Sequence, residues 1–296
     1  MTQLEIEAFL AIVRYGSISA GAEHLFVTQP ALSRRVRALE EELGYRLFLR
    51  SKGIRSVTLT EEGSAFIPVA EKWNHVYREA RSIATLSQKP VLNLASVGSV
   101  STYLLPNILR EIITEDGPYN LCFHQYHSHE SYGYVENGLI DIALISDDMY
   151  HRSVLTTPAF EEPFVLAGGP AWDGTDTIHP TALNPRNEIR LPWNPEFDVW
   201  HARWFDEGIL PRVRLDQMSL LEEFLTGENF AIMPLMVAKR IRHGSAHICR
   251  LEDGPGNEVI YYLTSKSSEY KQPLISHFLR LLKKEVDTFE DIHSFL

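Results

Sequence analysis

Thr28, Gln29, Ser33, Arg34 and Arg37 bring hydroxyl, amide and guanidinium groups to one short stretch of chain at helical spacing. On a helix Gln29, Ser33, Arg34 and Arg37 share a polar side, and their groups are those that read base edges in a major groove and hold nearby phosphates. Thr28 is also a residue type that caps helices, and Pro30 then falls in the first turn, where a missing amide costs nothing. A solvated helix face would show the same polarity. That plainer reading suits Glu40, Glu41 and Glu42, which phosphate would repel, so the candidate contact surface is confined to the first turns. Arg50, Lys52 and Arg55 crowd a turn at Ser51-Lys52-Gly53 and are candidates for backbone phosphate or the minor groove, although any surface turn carries basic residues.

A second chemistry is suggested farther on. Ser99-Val100-Ser101-Thr102 follows an apolar strand and opens a helix, and His127-Ser128-His129 follows the next strand. Such places in open α/β sheets bind ligands, and helix starts favour anions. Ser99, Ser101, Thr102, Ser128 and His129 are therefore candidate ligand contacts, with helix capping as the plain alternative for the serines. Trp193-Asn194 is a third candidate segment, the alternative being that Trp193 only packs a loop. Ser219 with Glu222 has the pattern of a capping box. His124, His127 and His129 do not complete a metal site, because an extended chain turns His124 away from the other two and no cysteine or carboxylate set joins them. Neither a metal nor a cofactor is expected. Cys122 and Cys249 lack Cys-x-x-Cys spacing and read as buried apolar thiols. No Gly-x-Ser-x-Gly, phosphate loop or dinucleotide fingerprint points to an enzyme.

The elements that must position these groups follow from periodicity. Leu4, Phe9, Leu10 and Val13 predict a first helix stopped by Gly16, and Ser17 caps a short second helix through Ala20 and Ala22 to Leu25. A turn at Phe26-Val27 leads into a third helix with a buried stripe of Leu32, Val36, Leu39 and Leu43. Residues 46–50 and 55–59 then read as strand, turn and strand, which completes a winged helix-turn-helix. Thr60 caps a long helix in which Phe66, Val69, Trp73, Val76, Ala80, Ile83 and Leu86 recur by threes and fours up to Pro90. A second copy of the chain would bury that stripe; packing on the chain's own C-terminal body is the alternative. Pro68 should leave a carbonyl unpaired or kink the helix slightly. From Val91 onward, strands at 92–97, 121–126 and 140–145 alternate with helices at 104–113 and 132–137. Another α/β series runs from Phe164 to Arg242 before a last helix from Pro273 to about Phe289.

Charge separates the same two regions. The 296 residues carry a formal charge of −11, yet residues 1–58 hold eight Lys and Arg against six acids, so a weakly basic head precedes an acidic body that nucleic acid repels. A hydrophobic fraction of 44% and a charged fraction of 23% are ordinary for packed globular domains, and the length favours more than one. The longest uncharged stretch, 91–109, is interrupted by polar residues and Pro106 and fails as a membrane span; the start carries Glu5 and Glu7 and does not read as a signal peptide. A cytoplasmic protein is expected.

Phe9, Gly16-Ser17, Ala22, Leu25, Gln29-Pro30-Ala31-Leu32-Ser33, Leu39-Glu40, Leu43-Gly44, Leu47-Phe48, Arg50, Leu59-Thr60-Glu61 and Gly63 agree in order, spacing and type with one family. The sequence resembles the LysR-type transcriptional regulators. Gly138-Leu139-Ile140-Asp141-Ile142-Ala143 and Phe230-Ala231-Ile232-Met233-Pro234 resemble two later segments of that family. Gly227-Glu228-Asn229 departs from its Gly-x-Gly turn, in a form that asparagine tolerates because it accepts left-handed geometry. The resemblance implies an α/β multi-domain chain: a winged helix-turn-helix DNA-binding domain over 1–58, a linker and dimerisation helix over 59–89, and a periplasmic-binding-protein-like effector-binding domain over 90–296. Its subdomain I would comprise 90–161 and 266–296 and its subdomain II 162–265, with crossings near Glu162 and Ser265. The implied partners are double-stranded DNA, a small-molecule effector, expected to be a small organic anion, and the chain itself in a homodimer or homotetramer, with no membrane. Ser99 and Ser128 match the family's effector contacts.

Overall fold

The structure is a computed structural model that describes residues 1–49, 57–83, 89–114, 117–206, 208–241, 246–266 and 271–296. The chain divides into two compact units, Met1–Gln88 with Asn137–Leu139, and Lys89–Glu136 with Ile140–Leu296. Among the described residues no helix is long and apolar enough to cross a membrane.

The first unit contains α1 (Gln3–Tyr15), α2 (Ile18–His24), α3 (Gln29–Leu43), the strands β1 (Phe48–Leu49) and β2 (Thr58–Leu59), and α4 (Glu61–Ile83). Gly16 ends α1 at φ 71°, and Ser17 Oγ accepts the Ala20 amide at 3.1 Å to start α2. The expected stripe of α1 is broader than its sequence pattern. Ile6, Phe9 and Ile12 are buried, Leu10 and Val13 are half-buried, and Leu4 is exposed. The helix has neighbours on two sides: Ile12 packs with Ala22, Leu32 and Val36, while Ile6 and Phe9 pack with Leu39, Leu47, Phe66 and Ala70. Phe66 thus leaves the proposed partner-facing stripe of α4 and belongs to the head's own core, its ring 5.2 Å from that of Phe9. Val69, Trp73, Val76 and Ala80 remain exposed on α4, which runs through Pro68 without a break.

β1 and β2 pair antiparallel, Phe48 opposite Leu59. Glu40 departs from the solvated reading, because its Oε1 accepts the amides of Leu47 at 2.8 Å and Phe48 at 3.3 Å and so fixes the first strand to α3. Glu42 accepts from the N-terminal amine. Thr60 Oγ1 accepts the Gly63 amide at 2.8 Å and donates to Arg46 O at 2.6 Å, joining the strand pair to the start of α4. Arg50, Lys52 and Arg55, together with Leu86, lie outside the described residues.

The second unit contains β3 (Val91–Ser96), α5 (Leu105–Ile112), β4 (Asn120–Gln125), α6 (Ser128–Glu136), β5 (Ile142–Ile145), β6 (Val154–Gly168), α7 (Pro195–Trp204), β7 (Phe230–Pro234), α8 (Leu235–Arg240), β8 (His247–Leu251), β9 (Asn257–Ser265) and α9 (Gln272–Val286). β3 runs parallel to β4 and β5 as the alternation of strands and helices requires. Asp141 fastens the sheet: its Oδ2 accepts Asn93 N at 2.7 Å and lies 3.4 Å from Lys271 Nζ. The last helix, α9, buries Ile275, Phe278, Leu282 and Val286 in the core that holds Leu92, Leu94 and Ile108, completing the first subdomain.

β6 is 15 residues long, and sequence periodicity showed only its end. Pro158, Glu161, Glu162 and Pro163 interrupt its apolar run, so its pairing is decided by neighbours far away in sequence. Residues 154–163 pair with β9, 164–168 pair with β7 and 165–168 also pair with β8, so one strand serves both subdomains. β9 pairs with β6 along its length and with β5 at Tyr261–Thr264, which makes it a strand of the first subdomain. The return crossing therefore falls at the start of β9, near Asn257, and not at Ser265. Glu162 and Glu258 are direct partners across the β6–β9 pair.

Three smaller expectations change. Ser219 lies inside a 3-10 turn, Met218–Leu220, instead of capping a helix. In the segment 227–229, Gly227 itself takes the left-handed conformation, φ 58°, while Asn229 ties the turn through its Nδ2 to Phe224 O at 3.0 Å. Cys249 is buried, but Cys122 is exposed on β4, with its Sγ 3.2 Å from His124 Nε2.

Candidate nucleic-acid interface and ligand cleft

The buried stripe Leu32, Val36 and Leu39 fixes the rotation of α3 and leaves its other side open. Thr28, Gln29, Arg34 and Arg37 are exposed there, and Ser33 is half-buried. Thr28 sits at the cap position with φ −78° and ψ 147°, yet its side chain caps no amide; the backbone alone starts the helix, through Leu32 N to Thr28 O at 3.0 Å. Gln29 Nε2 donates to Ser19 Oγ on α2, which restrains the amide at the surface. Arg34 and Arg37 make no ion pair with a described residue. The result is an open helix start flanked by unpaired cations, suited to phosphate and to base edges. Phe26 was not anticipated. It is 97% exposed at φ 53° in the turn that precedes α3, and its signal was a bulky apolar residue at a helix break with no core position to fill.

The second unit encloses a cavity of about 370 Å³ at the carboxyl ends of β3 and β4. Ser99, Ser128, His129 and Trp193 line it; Ser101, Thr102 and Asn194 do not. Ser101 Oγ donates to Gly98 O at 2.9 Å, and Asn194 is buried with Oδ1 accepting Phe197 N at 2.8 Å as the cap of α7. Ser99 precedes a π-helical turn, Val100–Leu104, and its side chain, 5% exposed, caps no amide. Single π-turns of this kind recur at functional sites. Ser128 Oγ accepts Ser146 N and Asp147 N, both at 3.3 Å, and so holds the loop after β5. Trp193 Nε1 donates to Ile232 O at 2.8 Å, which fixes the indole at the cavity wall. Sequence reasoning missed Gln125, Asp147, Asp216 and Glu258 in the lining, which also includes His127 of the segment singled out after the second strand. These come from a strand end, loops and β9, and only the crossing strands bring them together.

The lining includes no lysine or arginine. Burial raises the pKa of Asp147, and the carboxylates of Glu196, Asp148 and Asp198 raise it further. Glu258 is raised well above the usual carboxylate range by complete burial and by the charges of Glu162 and Asp147. Glu162 is pushed up to about 8 by burial, against which its hydrogen bond from Met236 N works. That bond, 2.5 Å to Oε2, leaves Oε1 without a partner. The lining thus brings three carboxyl groups together with two histidines, and burial holds the Asp147 and Glu258 carboxyls toward their protonated form.

Residues 4–64 match the model of the bacterial regulatory helix-turn-helix protein, lysR family, and residues 87–287 match the LysR substrate binding domain. The chain belongs to the LysR family. This LysR-type chain is 35% identical over 146 residues to YxjO of Bacillus subtilis (strain 168), an uncharacterized HTH-type transcriptional regulator, with 48% of the chain and 50% of YxjO covered. It is 28% identical over 193 residues to the HTH-type transcriptional regulator ClcR of Pseudomonas putida, covering 64% of the chain and 65% of ClcR. These matches therefore span half to just under two-thirds of the curated relatives. In fold, the LysR-type chain resembles full-length CbnR complexed with its target DNA, at a TM-score of 0.69 and 22% identity over 96% of this chain and 100% of that one. The relatives named here are transcriptional regulators.

Proposed function

We propose that this LysR-family chain is a cytoplasmic, homodimeric or homotetrameric transcription regulator, with a DNA-binding head over 1–58, a dimerisation helix over 59–89 and an effector-binding domain over 90–296. The head binds double-stranded DNA through Thr28, Gln29, Ser33, Arg34 and Arg37, with Arg50, Lys52 and Arg55 of the wing on the backbone. A small molecule in the cavity beside Ser99, Ser128, His129 and Trp193 changes the relative placement of two heads. The observation that carries this reading is the pair of exposed guanidinium groups, Arg34 and Arg37, without ionic partners beside the open start of α3. CbnR, whose fold this chain resembles, is itself complexed with target DNA. Dimerisation is supported by Val69, Trp73 and Val76, which are exposed in a single chain. DNA recovered with the intact protein and assayed over a salt series should bind with a steep salt dependence, and Arg34→Ala should weaken specific binding about tenfold. Equal binding by the variant would remove the assignment of α3.

A further inference from the structure

We infer that the cavity takes an organic cation, an ammonium or guanidinium group on a small carbon frame, with Glu258 and Asp147 as its counter-charges and Trp193 beside it. The inference rests on the reading of this cavity as the effector site and gives that effector its chemical class. Glu258 lines the cavity and is 1% exposed, and its carboxyl receives no hydrogen bond from a described residue. A carboxyl group held so deep without a partner is costly, and a cation in the cavity would supply the missing one. Glu162, its cross-strand neighbour, is also fully buried, with one oxygen unpaired, so the position is doubly acidic. Asp147 and Asp216 line other parts of the wall.

Several of the features that would welcome an anion are already occupied. At the start of α6, His127 N donates to Glu130 Oε2 at 3.0 Å, so a carboxylate of the chain itself stands at that helix terminus. Ser128 Oγ is engaged by two loop amides, and Ser101 N is bonded to Val97 O at 3.0 Å. His127 and His129 are the basic side chains in the lining, and three carboxyl groups face them. Trp193 and Tyr126 add aromatic wall, whose ring faces attract cations and offer nothing to a carboxylate.

Two matched pairs of probes isolate the sign of the ligand: tyramine against 4-hydroxyphenylacetate, and putrescine against succinate. Each is titrated calorimetrically into the full-length protein and into the Glu258→Gln, Asp147→Asn and Ser99→Trp variants. The expected result is that an amine binds and its carboxylate counterpart does not. Glu258→Gln and Asp147→Asn should each weaken the amine at least tenfold, and the indole of Ser99→Trp should block it. Asp147→Asn carries the test if Glu258→Gln does not fold, since Asp147 is only half-buried. Carboxylate binding that Ser99→Trp blocks and Glu258→Gln strengthens would overturn the cation while leaving the cavity as the effector site. Binding of neither class, or amine binding indifferent to all three variants, would overturn both.

Discussion

In the first unit the groups offered to a partner stand on a single helix and its preceding turn, whereas in the second they converge from strand ends, loops and a strand, β9, more than a hundred residues from the first of them. The head needs only the stripe Leu32, Val36 and Leu39 to aim Arg34 and Arg37 outward. The cavity needs two crossing strands to bring Glu258 near Ser99. Charge follows the same division: Arg34 and Arg37 are exposed and without an ion pair to a described residue, whereas Glu162 and Glu258 of the body are buried. Exposed charge acts on a polyanion through counterion release and is easily lost to salt, while buried charge acts on one small ligand and is tuned by its neighbours. A recognition surface assembled by local structure is robust to changes elsewhere. One assembled by tertiary structure is not.

The comparison is tested most severely at Gly63. A Cβ there would lie 2.0 Å from Leu47 O, a backbone atom already pinned by Thr60 N at 3.0 Å, so neither partner can retreat. Gly63→Ala should destabilise the head by more than about 4 kcal/mol and abolish DNA binding. Calorimetry should retain the melting transition of the body; loss of both transitions together would break the contrast between the units. Next in size is the double change Arg34→Ala with Arg37→Ala. It should lower specific DNA affinity about 100-fold in a fluorescence-anisotropy titration, with the melting temperature unmoved, because neither side chain packs. Glu40→Ala should cost about 1–3 kcal/mol by leaving two strand amides without their acceptor. Hydrogen exchange should accelerate at Leu47 and Phe48 before it does along α3.

The smallest expected effect is in the body and concerns pH. Glu162, with a folded pKa of about 8 against an ordinary 4.5, holds its proton more tightly in the folded state, so its contribution is complete below the unfolded value and is lost as pH rises through about 8. The body should therefore melt progressively lower between about pH 5 and pH 8. Glu162→Gln keeps an oxygen for Met236 N and has no charge to bury, so it should flatten that slope by a few degrees. An unchanged slope would mean that Glu162 gains its partner in another way. In the first unit Glu71 is also raised by burial, but it is not fully buried as Glu162 is.

Most of the head was legible in the sequence because its determinants are local. Gly16, Ser17, Pro30 and Thr60 act within a turn of where they sit, and the stripe of α3 is read from four residues. What was misread there involves distant neighbours: Phe66 turns into the head because Phe9 is there, and Glu40 is bound because β1 arrives beside it. Thr28 has the residue type of a cap but leaves its hydroxyl unused for that purpose. In the body, β3, β4, β5 and the helices between them were visible, since each runs apolar or amphipathic over its own length. The greater part of β6 was not, because Pro158, Glu161, Glu162 and Pro163 interrupt it and sheet pairing makes it a strand; β8 and β9 were passed over although Val259–Thr264 is a largely β-branched and aromatic run.

The sequence by itself determined the winged head, the polar face of α3, the candidate dimer stripe on α4 and the family to which the chain belongs, because caps, periods and spacings act over short distances. Tertiary structure alone decided which carboxyl groups line the cavity. Ser99 and Ser128 could be chosen from their places after strands, but the carboxyls of Asp147 and Glu258 entered the wall through a loop and a returning strand. Helix starts in the sequence favour an anion, and the inferred preference for a cation rests on acids that only the tertiary fold brings to the wall, because a charge removed from water answers first to the groups enclosed with it.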